Sequence, residues 1–315
     1  MGLDKSASNG LSTEKLEKPR NDYKWKIVWE NLLSFIYIHL AGLYGMYLML
    51  FLHVKYLTIL WYAVCTLFIM IGITAGAHRL WSHRSYKAKW PMRLILMLLQ
   101  SAAYQNTIYR WARDHRVHHK YTDTDADPHN ANRGLFFSHI GWLLIRKHPE
   151  VKAKGEMIDC TDLAQDPFVA FQRKWYKWLM PTFGFILPTL IPYWFWNETL
   201  SCAWHISFAR YCTNLNSTWM VNSFAHSYVW GTRPYDKSMR PADNFSLAML
   251  TFGEGWHNYH HVFPWDYRSG GLGKGINITS MFIHFFAFFG LAYDMKITSP
   301  EVIKQRAVRC GDGSF

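Results

Sequence analysis

Cysteine is scarce in this chain and follows no pattern. Five cysteines occur among 315 residues, with neither CxxC spacing nor regular intervals: Cys65, Cys160, Cys202, Cys212 and Cys310. We therefore predict reduced thiols that mostly pack inside or beside apolar helices. The sequence also lacks a GxGxxG motif, a phosphate-binding loop and a Ser-His-Asp arrangement, so neither nucleotide binding nor serine-type hydrolysis finds support in it.

Acidic residues are in deficit. Lysine and arginine number 34 against 22 aspartates and glutamates, which gives a net charge of +12 and a pI near 9.4. This balance suits an anionic membrane surface, an anionic partner or a phosphorylated ligand. The basic residues are scattered and no DNA- or RNA-binding motif is present, so we expect no nucleic-acid partner.

Apolar residues are plentiful but gathered in blocks. Half of the chain is hydrophobic and 17% is aromatic, yet the mean hydropathy is only −0.11. The first thirty residues are too polar for a cleaved signal peptide, so targeting is expected to rest on the internal apolar segments. We predict an all-α integral membrane protein with four transmembrane helices, at residues 31–53, 56–77, 180–196 and 201–225.

The rest of the chain is assigned around those spans. Residues 1–24 are polar and expected to form a disordered cytosolic N-terminus, and residues 25–313 form one membrane domain. A helical cap comprises residues 78–175 and 226–313. Two apolar stretches, 92–99 and 279–293, are too short to span and predict helices buried in the cap or lying at the interface. The basic excess of the N-terminus and of 78–177 places the cap and both termini in the cytosol.

Nine histidines lie in four clusters beside these apolar stretches: His78 and His83; His115, His118 and His119; His226; His257, His260 and His261. On a helix, positions i, i+3 and i+4 share one arc of about 100°, so each triplet can aim three rings at one centre. Asn222 and His226 form an i, i+4 pair. His78 and His83 converge only if the second span ends near His78.

Neutral imidazole is a general ligand for first-row metals. A tetrahedral zinc site is complete with four ligands, so nine nitrogens predict two metals of higher coordination. A histidine-rich tract that binds zinc adventitiously stays open as an alternative. A carboxylate di-iron site fits less well, because only Glu254-Gly-Trp-His257 matches an ExxH pair. Four aspartates could orient the imidazoles: Asp114, Asp123, Asp125 and Asp127. For the run from Asp123 to Asp127, a solvated acidic loop is an equally good interpretation.

Single histidines have a plainer interpretation. An isolated histidine is more often a satisfied core or surface residue than a ligand, and we assign that role to seven of them: His39, His53, His129, His139, His148, His205 and His284.

Three motifs carry a family resemblance. HRLWSH (78–83), HRVHH (115–119) and HNYHH (257–261), with the flanking AGAHRLWSHRSYKA, WARDHRVHHKYTDTDADPHN and GEGWHNYHHVFPWDYR, resemble the histidine boxes of membrane acyl-CoA desaturases, the stearoyl-CoA desaturase family. The resemblance runs from about Trp29 to Gly313 and is nearest to the insect branch. It implies four membrane spans and a cytosolic cap with two iron ions held by the nine clustered histidines, with Asn222 acting through a water.

The resemblance also implies a substrate site. Residues matching contacts to the acyl-CoA head are Asn31, Asn106, Arg113, Asp114, Arg146, Lys147 and Trp219. Arg146 and Lys147 make physical sense there, because the phosphates of coenzyme A are anionic. Trp111 and Thr218 match positions at the bend of the substrate tunnel, and Tyr62 lies near the expected end of the acyl tail.

Two features depart from the family pattern. The stretch from His226 to Gly231 is about two residues longer than the family's His-x-Trp-Gly, and Phe224 replaces a usual alanine, which could alter activity or regiochemistry. The segment Arg240-Pro-Ala-Asp243 leans towards a Δ11-like group over Δ9.

The predicted function is O₂-dependent desaturation of a saturated fatty acyl-CoA at the Δ11 or Δ9 position. Electrons would come from cytochrome b5 and its NADH-dependent reductase, since no haem-binding HPGG motif is present, and the location would be the endoplasmic reticulum membrane. The alternatives are a related di-iron hydroxylase, acetylenase or conjugase, and a non-catalytic metal-binding or transport membrane protein.

Overall fold

The computed structural model describes residues 24–51, 54–270 and 277–315. The predicted disordered segment, except residue 24, and the last two residues of the predicted first span lie outside these ranges. Within them, the α-helices are α1 (Trp29–Phe51), α2 (Tyr56–Ile71), α3 (Trp90–Ala102), α4 (Ile108–Lys120), α5 (Trp142–Leu144), α6 (Pro149–Glu156), α7 (Thr161–Gln165), α8 (Pro167–Pro181), α9 (Leu187–Trp196), α10 (Leu200–Ser223), α11 (Phe245–Leu250), α12 (His257–Val262), α13 (Ile278–Phe288) and α14 (Pro300–Cys310).

Other regular structure is limited in this part of the chain. Strands β1 (Lys87–Ala88) and β2 (Ala292–Tyr293) pair antiparallel, with Lys87 opposite Tyr293. A 3₁₀ turn covers Ala131–Arg133. Three π-helical segments occur, at Gly72–Ser82, Phe137–Gly141 and Thr182–Ile186. The predicted all-helical class therefore agrees with the described residues.

Among the described residues, two helices are long and apolar enough to cross a bilayer: Trp29–Phe51 and the continuous run Tyr56–Ser82. The second is longer than the predicted 56–77, because α2 continues directly into the π-helical segment. The predicted third span corresponds to α9 and the end of α8, with the π-helical Thr182–Ile186 between them. The predicted fourth corresponds to α10, which buries Arg210 and Asn214 and is less apolar than the first two.

Small residues allow α1 to cross α10 closely. A Cβ atom on Gly45 would lie 2.1 Å from the carbonyl oxygen of His205, and one on Gly42 would lie 2.5 Å from Cys212 Sγ. Such contact between backbones is typical of helix pairs in membranes. It fixes α10, whose end leads into the candidate site, against the first apolar helix.

The core of the cap forms around the π-helical segment. Trp81 and Tyr86 pack there with Met92 and Leu96 of α3 and with Ile108 of α4, all buried. The predicted short apolar stretch at 92–99 is thus a buried helix. The stretch 279–293 begins with α13, which buries Ile283 but leaves Met281, Phe285 and Phe288 exposed.

Candidate metal centre

All nine clustered histidines come together in the structure. His78 lies in the π-helical segment and His83 directly after it, the first triplet lies on α4, and the second on α12. His226 follows the end of α10. Their ring nitrogens form two groups, with the ligating atoms of each group within 4.8 Å of one another. Site A is His78, His83, His115, His119 and His260, and site B is His118, His226, His257 and His261.

The π-helix explains how His78 and His83 meet. We expected the helix to end near His78, and this was wrong, because it continues to Ser82. In a π-helix each N–H bonds to the carbonyl five residues back, and the His83 amide donates to the His78 carbonyl at 3.1 Å. Residues five apart are therefore one turn apart, and both rings face the same side.

The Nε2 atoms point at one another within each site. In site A, Nε2 of His78 and Nε2 of His119 both lie 2.9 Å from Nε2 of His260. In site B, Nε2 of His257 lies 3.0 Å from that of His226 and 3.1 Å from that of His261. A neutral ring has one donor nitrogen and one acceptor, so such clusters cannot all be satisfied by hydrogen bonds. Convergent imidazole nitrogens fit a metal ion in each site.

Burial keeps these rings neutral, which is the metal-binding form. It lowers the pKa of His83, His115, His119, His257, His260 and His261 well below the usual range, and neighbouring cations and histidines lower it further. Burial also lowers the pKa of His226, against the opposing effect of Asp123.

Carboxylates lie beside the Nδ1 atoms of three of the rings, two of them aspartates and the third Glu254. Nδ1 of His118 lies 2.9 Å from Asp127, and Nδ1 of His226 lies 3.6 Å from Asp123. These two aspartates stand where the sequence placed orienting groups, whereas Asp125 is exposed. Asp114 pairs with Arg113 and Lys147 instead of with a histidine.

Glu254 is a residue of the candidate site that sequence reasoning missed. Its carboxylate lies 2.9 Å from Nδ1 of His78 and 2.6 Å from Nη2 of Arg79, and it is buried. The turn that presents it uses Gly253 at φ 109°, a conformation that favours glycine. Burial alone would raise the pKa of Glu254, but Arg79 and His78 outweigh it and lower the pKa to about 2. The GEGWH motif contains Glu254 next to the third histidine cluster and could have indicated it. We considered its ExxH spacing only for direct metal ligation by the glutamate.

Two adjoining cavities, which we call the channel, lie beside the histidine sites. Its outer cavity measures 740 Å³ and its inner cavity 440 Å³. Both cavities are lined by Trp111, His115, Thr218 and Asn222. The inner cavity also contacts His118 and His257, and it is otherwise walled by apolar residues such as Met70, Ile73 and Val221. An extended apolar ligand could therefore lie beside both histidine groups.

The predicted substrate residues divide around this channel. Asn106, Asp114 and Trp219 line the outer cavity. The Asn31 amide donates to the carbonyl of Leu143 in its wall at 2.7 Å. Arg113 and Lys147 both contact Asp114, and the Arg146 backbone N–H donates to the Lys26 carbonyl.

Tyr62 lies elsewhere. It lines a separate cavity of 230 Å³ between α2, α9 and α10, and its hydroxyl lies 2.8 Å from Thr213 Oγ1.

Phe224 does not face the clustered histidines of sites A and B. Its ring stacks on Trp230, with centroids 4.7 Å apart and planes 10° apart, and meets the ring of His139 edge-on. The longer segment after His226 supplies Trp230. His226 still reaches site B, although α10 ends at Ser223 and the residue comes from the following turn, not from the helical stripe that we predicted.

Comparison with known proteins agrees with this geometry. The family model described as fatty acid desaturase matches residues 56–269. The chain is 55% identical to an acyl-CoA Delta-9 desaturase of Acheta domesticus, over 96% of this chain and 84% of the relative. It is 53% identical to an acyl-CoA Delta(11) desaturase of Spodoptera littoralis, over 92% and 86%. It is likewise 53% identical to an (11Z)-hexadec-11-enoyl-CoA conjugase of Bombyx mori, over 98% and 93%.

A double histidine site beside an apolar channel, on a chain with two apolar membrane-length helices, defines a membrane metalloenzyme of lipid metabolism. The chain belongs to the fatty acid desaturase family. The predicted family and the predicted acyl-CoA desaturase activity are thereby confirmed.

Proposed function

We propose that this protein uses O₂ to introduce one double bond into a saturated fatty acyl-CoA held in the channel. The observation that carries the proposal is that one cavity touches His118 and His257 of site B and His78 and His115 of site A. The balanced reaction converts –CH₂–CH₂–, O₂, two electrons and two protons into –CH=CH– and two molecules of water.

Two iron ions are the metals we assign, one to site A and one to site B. Bound iron would supply the oxygen activation and hydrogen abstraction. The nine histidines would be its ligands, and Asn222 would complete site B through a water. Support comes from the all-imidazole donor set, which suits iron as well as other first-row metals, and from the resemblance of the histidine boxes to those of a di-iron family.

The chain's own residues position the substrate. Trp111 stacks on His115, with centroids 5.0 Å apart, and Thr218 lines the same two cavities. A wall at this point would set which carbon–carbon bond stops beside the metals. Asn106, Arg113, Asp114, Lys147 and Trp219 would hold the acyl-CoA head at the channel mouth, with Asn31 and Arg146 in its surroundings. Tyr62 would limit the length of the acyl tail only if a longer acyl chain opened the wall between the inner channel cavity and the separate cavity that Tyr62 lines.

Four membrane spans remain our proposal for the topology, with residues 25–313 as one domain and the helical cap and both termini in the cytosol. α9 carries exposed Tyr193, Trp194 and Phe195, as suits contact with lipid at an interface. The endoplasmic reticulum is the proposed membrane, and cytochrome b5 with its NADH-dependent reductase the proposed electron source.

The position of the double bond is proposed as Δ11 or Δ9. Relatives named for both positions have nearly the same identity to this chain, so overall similarity does not separate them. A conjugase or related hydroxylase is the second candidate, favoured by the equal likeness to the Bombyx mori conjugase.

Expression in a desaturase-deficient yeast tests these proposals. Gas chromatography of the fatty acids should show new monounsaturated chains, and the double-bond position separates Δ9 from Δ11. His118→Ala should abolish the product at an unchanged protein level. The matched control is His205→Ala, a histidine of α10 outside both sites. Hydroxylated or conjugated products would favour the second candidate, and product from the His118 variant would contradict the ligand assignment.

A further inference from the structure

Helix α8 exposes a stripe of large aromatic side chains. Phe171 is 49% exposed, Trp175 43% and Trp178 71%. At about 100° per residue, positions i, i+4 and i+7 fall within an arc of about 60°, so the three rings share one side of the helix. We call this stripe the aromatic face. Large rings exposed together in this way mark a surface that meets something other than water.

A basic face lies directly beside the aromatic one. Arg173, Lys174 and Lys177 are exposed, and on a helix they share an arc of about 100°. The ammonium of Lys174 lies 5.5 Å from the centroid of the Trp175 ring, where the two faces meet. Helix α8 contains no aspartate or glutamate, and none of the three cations has an ion pair in the part of the chain that the structure describes. The basic face therefore attracts a negatively charged partner.

The third face of α8 is buried and ties the helix to the metal centre. The side chain of Gln172 accepts a hydrogen bond from the Ile108 backbone N–H at 2.9 Å and donates one to Ser101 Oγ at 3.0 Å. Ile108 is the first residue of α4, which carries the first histidine triplet. A ligand held on the outer faces of α8 would therefore stabilise the beginning of α4 as well.

The place of α8 in the chain indicates which surface its outer faces meet. The helix continues without a break through the π-helical Thr182–Ile186 into α9, which belongs to the proposed third span. Lys177 and Trp178 thus lie about one turn before the π-helical part of that span. Tryptophan rings collect at the headgroup level of a bilayer, and basic side chains on a helix in this position attract the anionic lipids of the cytosolic leaflet.

We propose that the basic face of α8 binds the headgroups of anionic phospholipids, while the aromatic face lies among the upper parts of their acyl chains. The inference rests on the topology given under the proposed function, which puts this end of the third span in the cytosolic leaflet. An acidic soluble protein would match only the three charges. A lipid matches the charges, the exposed rings and the adjoining span, so the observations favour it.

Thermal unfolding of the full-length protein in lipid nanodiscs tests the basic face. The wild type should melt a few degrees higher in discs of phosphatidylcholine mixed with phosphatidylserine than in discs of phosphatidylcholine alone, because bound lipid stabilises the folded state. A triple variant of α8 should lose most of this increase: Arg173→Gln, Lys174→Gln and Lys177→Gln. The control removes three exposed cations from α6 and α14 and should keep the increase: Lys152→Gln, Lys304→Gln and Arg309→Gln.

The control matches the α8 variant in charge, so a general attraction between a basic protein and anionic lipid affects both variants equally. Increases of the same size in the wild type and the α8 variant would overturn the proposal. So would the same increase from inorganic phosphate added to phosphatidylcholine discs, since the ligand would then be phosphate in solution.

The tryptophans of the aromatic face allow a second measurement that does not depend on the charge variants. Bromine atoms on acyl chains quench the fluorescence of tryptophans that they touch, so brominated phosphatidylserine should quench the wild type more than brominated phosphatidylcholine does. Trp175→Phe combined with Trp178→Phe should remove this excess. Trp204→Phe combined with Trp265→Phe, both exposed outside α8, should keep it. Equal quenching of the wild type by the two lipids would contradict an anionic-lipid site.

These measurements need no turnover, so they hold even if the protein forms no unsaturated product and the proposed function fails. The topology is tested separately in sealed microsomes. Lys177→Cys should react with a membrane-impermeant maleimide added from outside, above the background of the five native cysteines in the wild type. Labelling only after permeabilisation would overturn the proposed topology and, with it, the assignment of α8 to the cytosolic leaflet.

Discussion

The carboxylate of Glu254 lies 2.9 Å from Nδ1 of His78, and both side chains are buried. The contact keeps a proton on Nδ1 and leaves the lone pair on Nε2 to face the other rings of site A. Glu254 also binds Arg79, which donates to the Tyr267 carbonyl and to Ser280 Oγ. One carboxylate thus links a histidine of the centre to the beginning of α13.

Glu254→Gln should weaken metal binding by about 10- to 100-fold, the range typical of partners that orient metal-bound histidines. The glutamine amide oxygen still accepts a hydrogen bond from Nδ1 of His78, but the negative charge that strengthens this contact is lost. Metal content after dialysis against graded chelator concentrations measures the effect. Asp294→Asn, which breaks the exposed pair with Lys87, is the control. Equal metal retention in the two variants would argue against an orienting role for Glu254.

Trp111→Phe should broaden the product from one positional isomer to a mixture. The smaller ring widens the channel where Trp111 and Thr218 both line it, so the acyl chain can stop with different bonds beside the metals. Mass spectrometry of derivatised products gives the isomer ratio. Trp204→Phe, on the part of α10 away from the channel cavities, should leave it unchanged. A single unshifted isomer from the Trp111 variant would exclude this residue from the control of regiochemistry.

Phe224→Ala should lower stability without moving the double bond. The ring is stacked on Trp230 and does not line the channel, so its loss removes an aromatic pair worth about 0.5–1.5 kcal/mol and some packing. Thermal unfolding and product analysis of the same preparation test both halves. A changed bond position would instead show that the departure from the family's alanine affects regiochemistry.

Asp162 should give the fold a pH dependence at the acid end. Partial burial would raise the pKa of its carboxyl, but hydrogen bonds from Arg116 and Arg84 lower it from 3.8 to about 2. The folded state therefore favours the ionised form. The stabilisation is present above pH 4 and is lost as the pH falls towards 2.

Asp162→Asn should melt a few degrees below the wild type at pH 7, and the difference should shrink as the pH falls from 5 towards 2. Melting temperatures of both proteins across this range make the comparison. A difference that stays constant with pH would mean that the Asp162 charge contributes nothing.

The sequence predicted those parts of the site that depend on local periodicity. His115, His118 and His119, like His257, His260 and His261, keep three- and four-residue spacing on helices, and a helix places such residues on one face whatever surrounds it. The apolar helices α1 and α2 were also predictable from length and composition. So were the aspartates of the 123–127 turn that contact His118 and His226.

What the sequence did not predict depends on packing between distant segments. The π-helical path that joins His78 to His83 replaces α-helical hydrogen bonds with five-residue ones, and no residue pattern specifies it. Glu254 meets His78 across 176 positions of the chain, and the Phe224 ring stacks on Trp230 instead of facing site B. These outcomes follow from tertiary contacts.

Metal analysis of the active, purified enzyme tests the central claim most directly, namely that nine imidazoles from distant segments hold two iron ions. Elemental analysis set against protein concentration should give two irons per chain, and His118→Ala should retain less. Full desaturase activity from protein that contains no iron, or that contains only zinc, would contradict it.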